Sequence, residues 1–87
     1  MTLAGKMAKA STISKKSQKR IEQIAAKIKQ LRLDAGYTSY EDFAHDNDMS
    51  RVQYWRMEKG VNFTINSLLE ILDKHKMPLA AFFKDIE

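Results

Sequence analysis

Apolar residues recur along the first half of the chain at three- and four-residue steps: Ile21, Ile24, Ala25, Ile28, Leu31 and Ala35. That spacing lays a single apolar stripe along a helix of 3.6 residues per turn and predicts a first helix over about 18–35. Gly36 ends it, because helices commonly close on a left-handed residue that glycine adopts without steric cost. The pattern then shortens. In TSYEDFAHDND, Ser39 can accept from a backbone amide three residues on and Asp42 can answer it, a capping box that opens a second helix over about 40–47. Thr38 with Glu41 makes an equally good box one residue earlier. This helix buries Phe43, Ala44 and the Tyr40 ring, and Asp46, Asn47 and Asp48 stop it, since their side chains compete for backbone hydrogen bonds and tolerate left-handed geometry.

A tight turn at Asp48 and Met49 leads to SRVQYWRMEKG, where Ser50 and Gln53 form a second box and Gly60 follows a basic last turn. The third helix is therefore expected over 51–59. Thr64 or Asn62 caps a fourth over about 65–75, with Ile65, Leu68, Leu69, Ile71 and Leu72 as its apolar face. After Met77 and Pro78 a short fifth helix, about 79–84, brings Phe82 or Phe83 to close the core. No segment alternates as a strand does, and nothing repeats. The fold class expected is all-α, a compact domain of five helices over residues 17–87, preceded by a mobile arm over 1–16.

Charge changes this picture more than composition does. Residues 1–20 hold Lys6, Lys9, Lys15, Lys16, Lys19 and Arg20 with no acid, whereas 21–87 hold nine Lys or Arg against eleven Asp or Glu. The net +4 thus comes from the start of the chain, and the folded body is slightly acidic. Any case for nucleic-acid binding by the body has to rest on where its few cations sit. The arm has three readings: a minor-groove arm, a non-specific phosphate anchor, or a solvated tail.

The chain has no cysteine, and its two histidines stand thirty positions apart, so no metal site and no cofactor is expected. His45 and His75 read as ordinary surface residues. No nucleophile, base and orienting group can be assembled, and three glycines supply no phosphate-cradling loop, so the sequence does not predict an enzyme or a small-molecule substrate. No apolar run is long enough to span a membrane and no secretory signal is evident; a reducing cytoplasm is the expected location.

The third helix carries the candidate chemistry. At about 100° per residue, Tyr54, Met57 and Glu58 face inward, while Val52, Arg56 and Lys59 fall on the opposite side with Gln53 and Trp55 flanking them. Such a face matches what a base edge requires. Arg56 can offer a fork to guanine O6 and N7, Gln53 can pair with adenine N6 and N7, and Val52 can pack on a thymine methyl. Arg51 and Lys59, at the helix ends, suit phosphates. The same face also reads as a solvated helix surface, and Trp55 reads either as a contact residue or as core.

From Ile24 to Phe83 the succession IKQLRLDAG, SYEDFA, MSRVQYWRMEKG, TINSLLEIL and MPLAAFF resembles the Cro and lambda-repressor type of helix-turn-helix, the XRE family. The likeness covers about two thirds of the chain and is closest in SRVQYWRMEKG. It implies a lambda-repressor-like fold in which Arg32 pairs internally with Glu58. It also implies that Arg51, Val52, Gln53 and Arg56 touch bases or nearby backbone, and that Tyr40 lies where a first-turn glutamine binds phosphate; Ser39, the cap beside it, is counted with the DNA-binding residues. The chain departs from the family pattern at Tyr40, which replaces a glutamine, between Gly36 and Phe43, where the segment looks one residue longer than usual, at Asn47, where an apolar residue is usual, and at Asp48, which occupies the glycine of the turn.

These readings together predict a sequence-specific binder of double-stranded DNA, a transcriptional repressor acting as a homodimer. Two alternatives share the fold: an antitoxin or restriction controller, whose partners include a toxin or other protein, and a protein-interaction module that no longer reads DNA.

Overall fold

The computed structural model describes residues 14–61 and 63–86. Among them are five α-helices and no strand: α1 (Lys15–Asp34), α2 (Tyr40–Asp46), α3 (Arg51–Lys59), α4 (Ile65–Lys74) and α5 (Leu79–Phe83). Helix α1 begins earlier than its apolar stripe does. The Ser14 hydroxyl accepts from the Ser17 amide at 3.1 Å, so a polar cap rather than apolar periodicity sets the start. Lys15 and Lys16, which the sequence placed in the arm, lie in the first turn of this helix, and Lys6 and Lys9 fall outside the described residues.

Helices α1 to α4 all end in the same way. The residue two past the helix has positive φ at Gly36 (94°), Asp48 (56°) and Lys76 (54°), and Gly60 (72°) directly follows α3. In each case the next amide reaches back five residues: Tyr37 to the Arg32 carbonyl (3.1 Å), Met49 to Ala44 (2.8 Å), Val61 to Arg56 (2.9 Å) and Met77 to Leu72 (2.9 Å). The positive-φ residue itself donates to the carbonyl three back. This is the Schellman arrangement, which satisfies carbonyls that a helix end would otherwise strand. Asp48 thus takes the left-handed conformation that the turn needs. Asn47 is accounted for as well, because its side-chain amide donates to the Phe43 carbonyl at 2.8 Å and seals the end of α2.

The core is built from Ile28 of α1, Phe43 and Ala44 of α2, Tyr54 and Met57 of α3, Leu68, Ile71 and Leu72 of α4, and Phe82 of α5. Phe43 is its aromatic centre. Tyr54 lies 5.0 Å from it, Tyr37 meets it edge-on at 5.3 Å, and the His75 ring stacks nearly parallel at 5.1 Å. Full burial of each large side chain stabilises the fold by about 1.5–3 kcal/mol, which explains how so small a domain holds together. Helix α3 packs against both α1 and α2, and α4 against α5. Lys27 of α1 ties down the last helix by donating to the Phe82 carbonyl at 2.6 Å.

Three expectations about the core need correction. Ala35 is exposed, because the helix has already ended at Asp34. Ile65 (70% exposed) and Leu69 fall on the outer edge of α4, whose buried side runs instead through Ser67, Leu68, Ile71 and Leu72. His75 is no ordinary surface residue, being half-buried on Phe43, whereas His45 is exposed. Of the two phenylalanines, Phe82 is buried and Phe83 is half-buried with its ring perpendicular to it.

Candidate nucleic-acid interface

Helix α3 starts where Ser50 caps it, its hydroxyl accepting from the Gln53 amide at 3.2 Å, and ends on Gly60 after Arg56 and Lys59 in the last turn. Cations there oppose the negative end of the helix dipole. The inner side of α3 is fixed by an ion pair. Arg32 of α1 donates from Nε to Glu58 Oε2 at 2.7 Å and from Nη2 to Oε1 at 3.2 Å, and the two side chains are 5% and 7% exposed. Its Nη1 donates to the Tyr37 carbonyl at 2.8 Å, so a single guanidinium joins α1, the α1–α2 connection and α3. The hydrogen bond to Glu58 raises the Arg32 pKa above its ordinary value. The Tyr54 hydroxyl is buried beside this pair without a well-aligned partner, and burial first, then the Glu58 carboxylate, push its ionisation far above the usual range.

The outer side of α3 is open. Val52 is 55% exposed and Trp55 40%, and Arg51, Gln53, Arg56 and Lys59 are all exposed. Val52 and Arg56 line a shallow cleft of about 320 Å³ together with Ser50, Gln53, Phe63 and Thr64. Trp55 is therefore not core, although more than half of it is covered. Two of the candidate residues are already engaged within the protein. Arg51 lies 3.6 Å from the Glu41 carboxylate of α2, an exposed pair of little energetic weight. Gln53 donates its side-chain amide to Ser67 Oγ at 3.3 Å.

At the start of α2, the Ser39 hydroxyl accepts from both the Glu41 and Asp42 amides, which selects Ser39 over Thr38 as the cap and leaves its own O–H to donate elsewhere. Tyr40 is half-buried against the core. Tyr37, which the sequence did not single out, donates its hydroxyl to Asp46 at 2.8 Å, and this bond raises its pKa. Ser67 was also missed. It is a polar residue on an otherwise apolar helix face, and only the fold brings it to Gln53.

Among the described residues, no group of three or more His, Asp or Glu is placed to hold a metal ion, and no helix is long and apolar enough to cross a membrane. No protein-family model matches the chain, and comparison with curated proteins and with solved structures likewise finds no match.

Proposed function

We propose that this protein is a sequence-specific binder of double-stranded DNA that regulates transcription, most simply as a repressor, by seating the outer face of α3 in the major groove. The observation that carries this reading is the two-sidedness of α3. Its inner face is locked by Arg32–Glu58, and its outer face offers Val52, Arg56, Gln53 and Lys59 to solvent. A groove-reading helix needs both, since base contacts discriminate only when the backbone that presents them is rigid. Arg56 is the guanine reader, Val52 the thymine-methyl contact and Gln53 the adenine reader. Arg51, Lys59, Ser39 and Tyr40 are phosphate contacts. The resemblance to XRE proteins adds a homodimer on a two-fold site with half-sites about one helical turn apart.

Selection of binding sites from random duplexes with the full chain tests this proposal. A recovered consensus of two related half-sites supports it, and recovery of no consensus refutes it. The exposure of Trp55 beside Val52 favours a second reading, a protein-binding face. Salt separates the two, because a DNA reader that neutralises several phosphates loses affinity steeply as salt rises and an apolar interface does not.

A further inference from the structure

Ser67 and Arg32 are the polar residues buried among those described. Arg32 has an evident structural task. The Ser67 hydroxyl does more than support the start of its own helix, where Thr64 caps α4 by accepting from the Ser67 backbone amide at 3.0 Å, a bond that any residue at 67 would make. The hydroxyl accepts from the Thr64 hydroxyl of that cap at 3.0 Å and, from outside its own helix, from Gln53 Nε2 at 3.3 Å. It thereby joins α4 to the first turn of α3. A buried hydroxyl in a face otherwise made of Leu68, Ile71 and Leu72 has to be satisfied to be tolerated, and the bond from Gln53 is part of what satisfies it.

We infer that Ser67 is a positioning residue for base reading: its hydroxyl holds the Gln53 amide in one orientation, so that Gln53 presents a donor and an acceptor to the cleft it shares with Val52 and Arg56. This rests on the DNA-reading proposal above. With one Nε2 hydrogen committed to Ser67, Gln53 retains a single N–H beside Oε1, and that pair is complementary to adenine N7 and N6–H₂. An amide released from Ser67 turns about its last torsion and can direct both N–H groups outward, a pattern that guanine N7 and O6 accept equally well. Ser67 thus selects adenine over guanine without touching DNA.

The test is site selection and competition binding with the full chain and its Ser67→Ala, Ser67→Thr, Gln53→Ala and Ser67→Ala/Gln53→Ala variants, alongside thermal melting of each. Good bidentate pairs discriminate their base by roughly 5- to 150-fold. Ser67→Ala should lower the adenine-over-guanine preference about five- to tenfold at one position per half-site and leave the other positions unchanged. Ser67→Thr, which keeps the hydroxyl, should restore the preference, and Ser67→Ala should add nothing in the Gln53→Ala background. Undiminished preference in Ser67→Ala, or an equal loss at every position that follows a lowered melting temperature, overturns the inference while leaving DNA reading intact. Absence of any sequence preference in the unaltered protein overturns both.

Discussion

Arg32 and Glu58 meet through two hydrogen bonds, 2.7 and 3.2 Å long, across the α1–α3 boundary and almost out of reach of solvent. Removing one partner leaves the other charged and desolvated, which is far more damaging than removing both. Arg32→Ala should destabilise the domain by about 3–5 kcal/mol, also stranding the Tyr37 carbonyl that Nη1 serves. Arg32→Met combined with Glu58→Leu should recover most of that loss. Urea denaturation of the three proteins decides the matter, and an Arg32→Ala variant as stable as the parent would show the pair to be energetically idle.

Acid should weaken the fold through His75. Burial lowers its pKa from the ordinary 6.5, and its buried Nε2 has no hydrogen-bond partner, so the fold holds the ring neutral. Between 6.5 and the lower value in the fold, the unfolded chain binds more protons. Stability is therefore fully present above this window and declines as pH falls through it. His75→Phe keeps a ring on Phe43 and cannot titrate. Melting temperatures between pH 7.5 and 5.5 should fall for the parent and fall less for the variant; parallel profiles would remove His75 as the cause.

Lys76 is left-handed without being glycine, at φ 54°. That conformation costs a side-chain-bearing residue roughly 1–2 kcal/mol, against a somewhat smaller entropic cost for glycine. Lys76→Gly should accordingly stabilise the domain by about 0.5–1 kcal/mol, seen as a rise of several degrees in melting temperature. Asp48→Gly should gain less, because aspartate tolerates this region better. A lowered melting temperature for Lys76→Gly would contradict the strain argument.

On DNA, Arg56 and Lys59 should differ in kind. Arg56→Ala should cost on the order of 1–3 kcal/mol and relax base preference at one position, whereas Lys59→Ala should weaken all duplexes alike. The Lys59 variant should also flatten the dependence of log affinity on log salt by about 0.9. Binding titrations over a panel of duplexes at several salt concentrations distinguish these outcomes. If Arg56→Ala binds the same consensus with the same preferences, Arg56 does not read a base.

Much of the helical layout was legible in the chain because its signals are local. The Ser39 and Ser50 caps, the stripe through Ile28 and the stops at Gly36 and Gly60 each lie within a few residues of what they determine. What escaped was non-local or had no apolar signature. Ser14 starts α1 through a polar cap in a stretch with no hydrophobic period, so the helix boundary fell too late. The stacking of His75 on Phe43 and the bond from Gln53 to Ser67 join residues 32 and 14 positions apart in sequence, and no spacing rule reaches them. In the candidate interface, periodicity alone put Val52 and Arg56 on the outside. It could not tell that Gln53, also exposed, is already tethered.

The left-handed corners at 36, 48 and 60 follow one another every twelve residues. A single residue inserted within α2 or α3 would rotate everything up to the next corner by about 100°. In α3, such an insertion ahead of Tyr54 would swing that ring out of the core while dragging Arg56 inward. These two helices can therefore drift in residue identity but not in length, and gaps accumulated among descendants of this sequence should be found outside them.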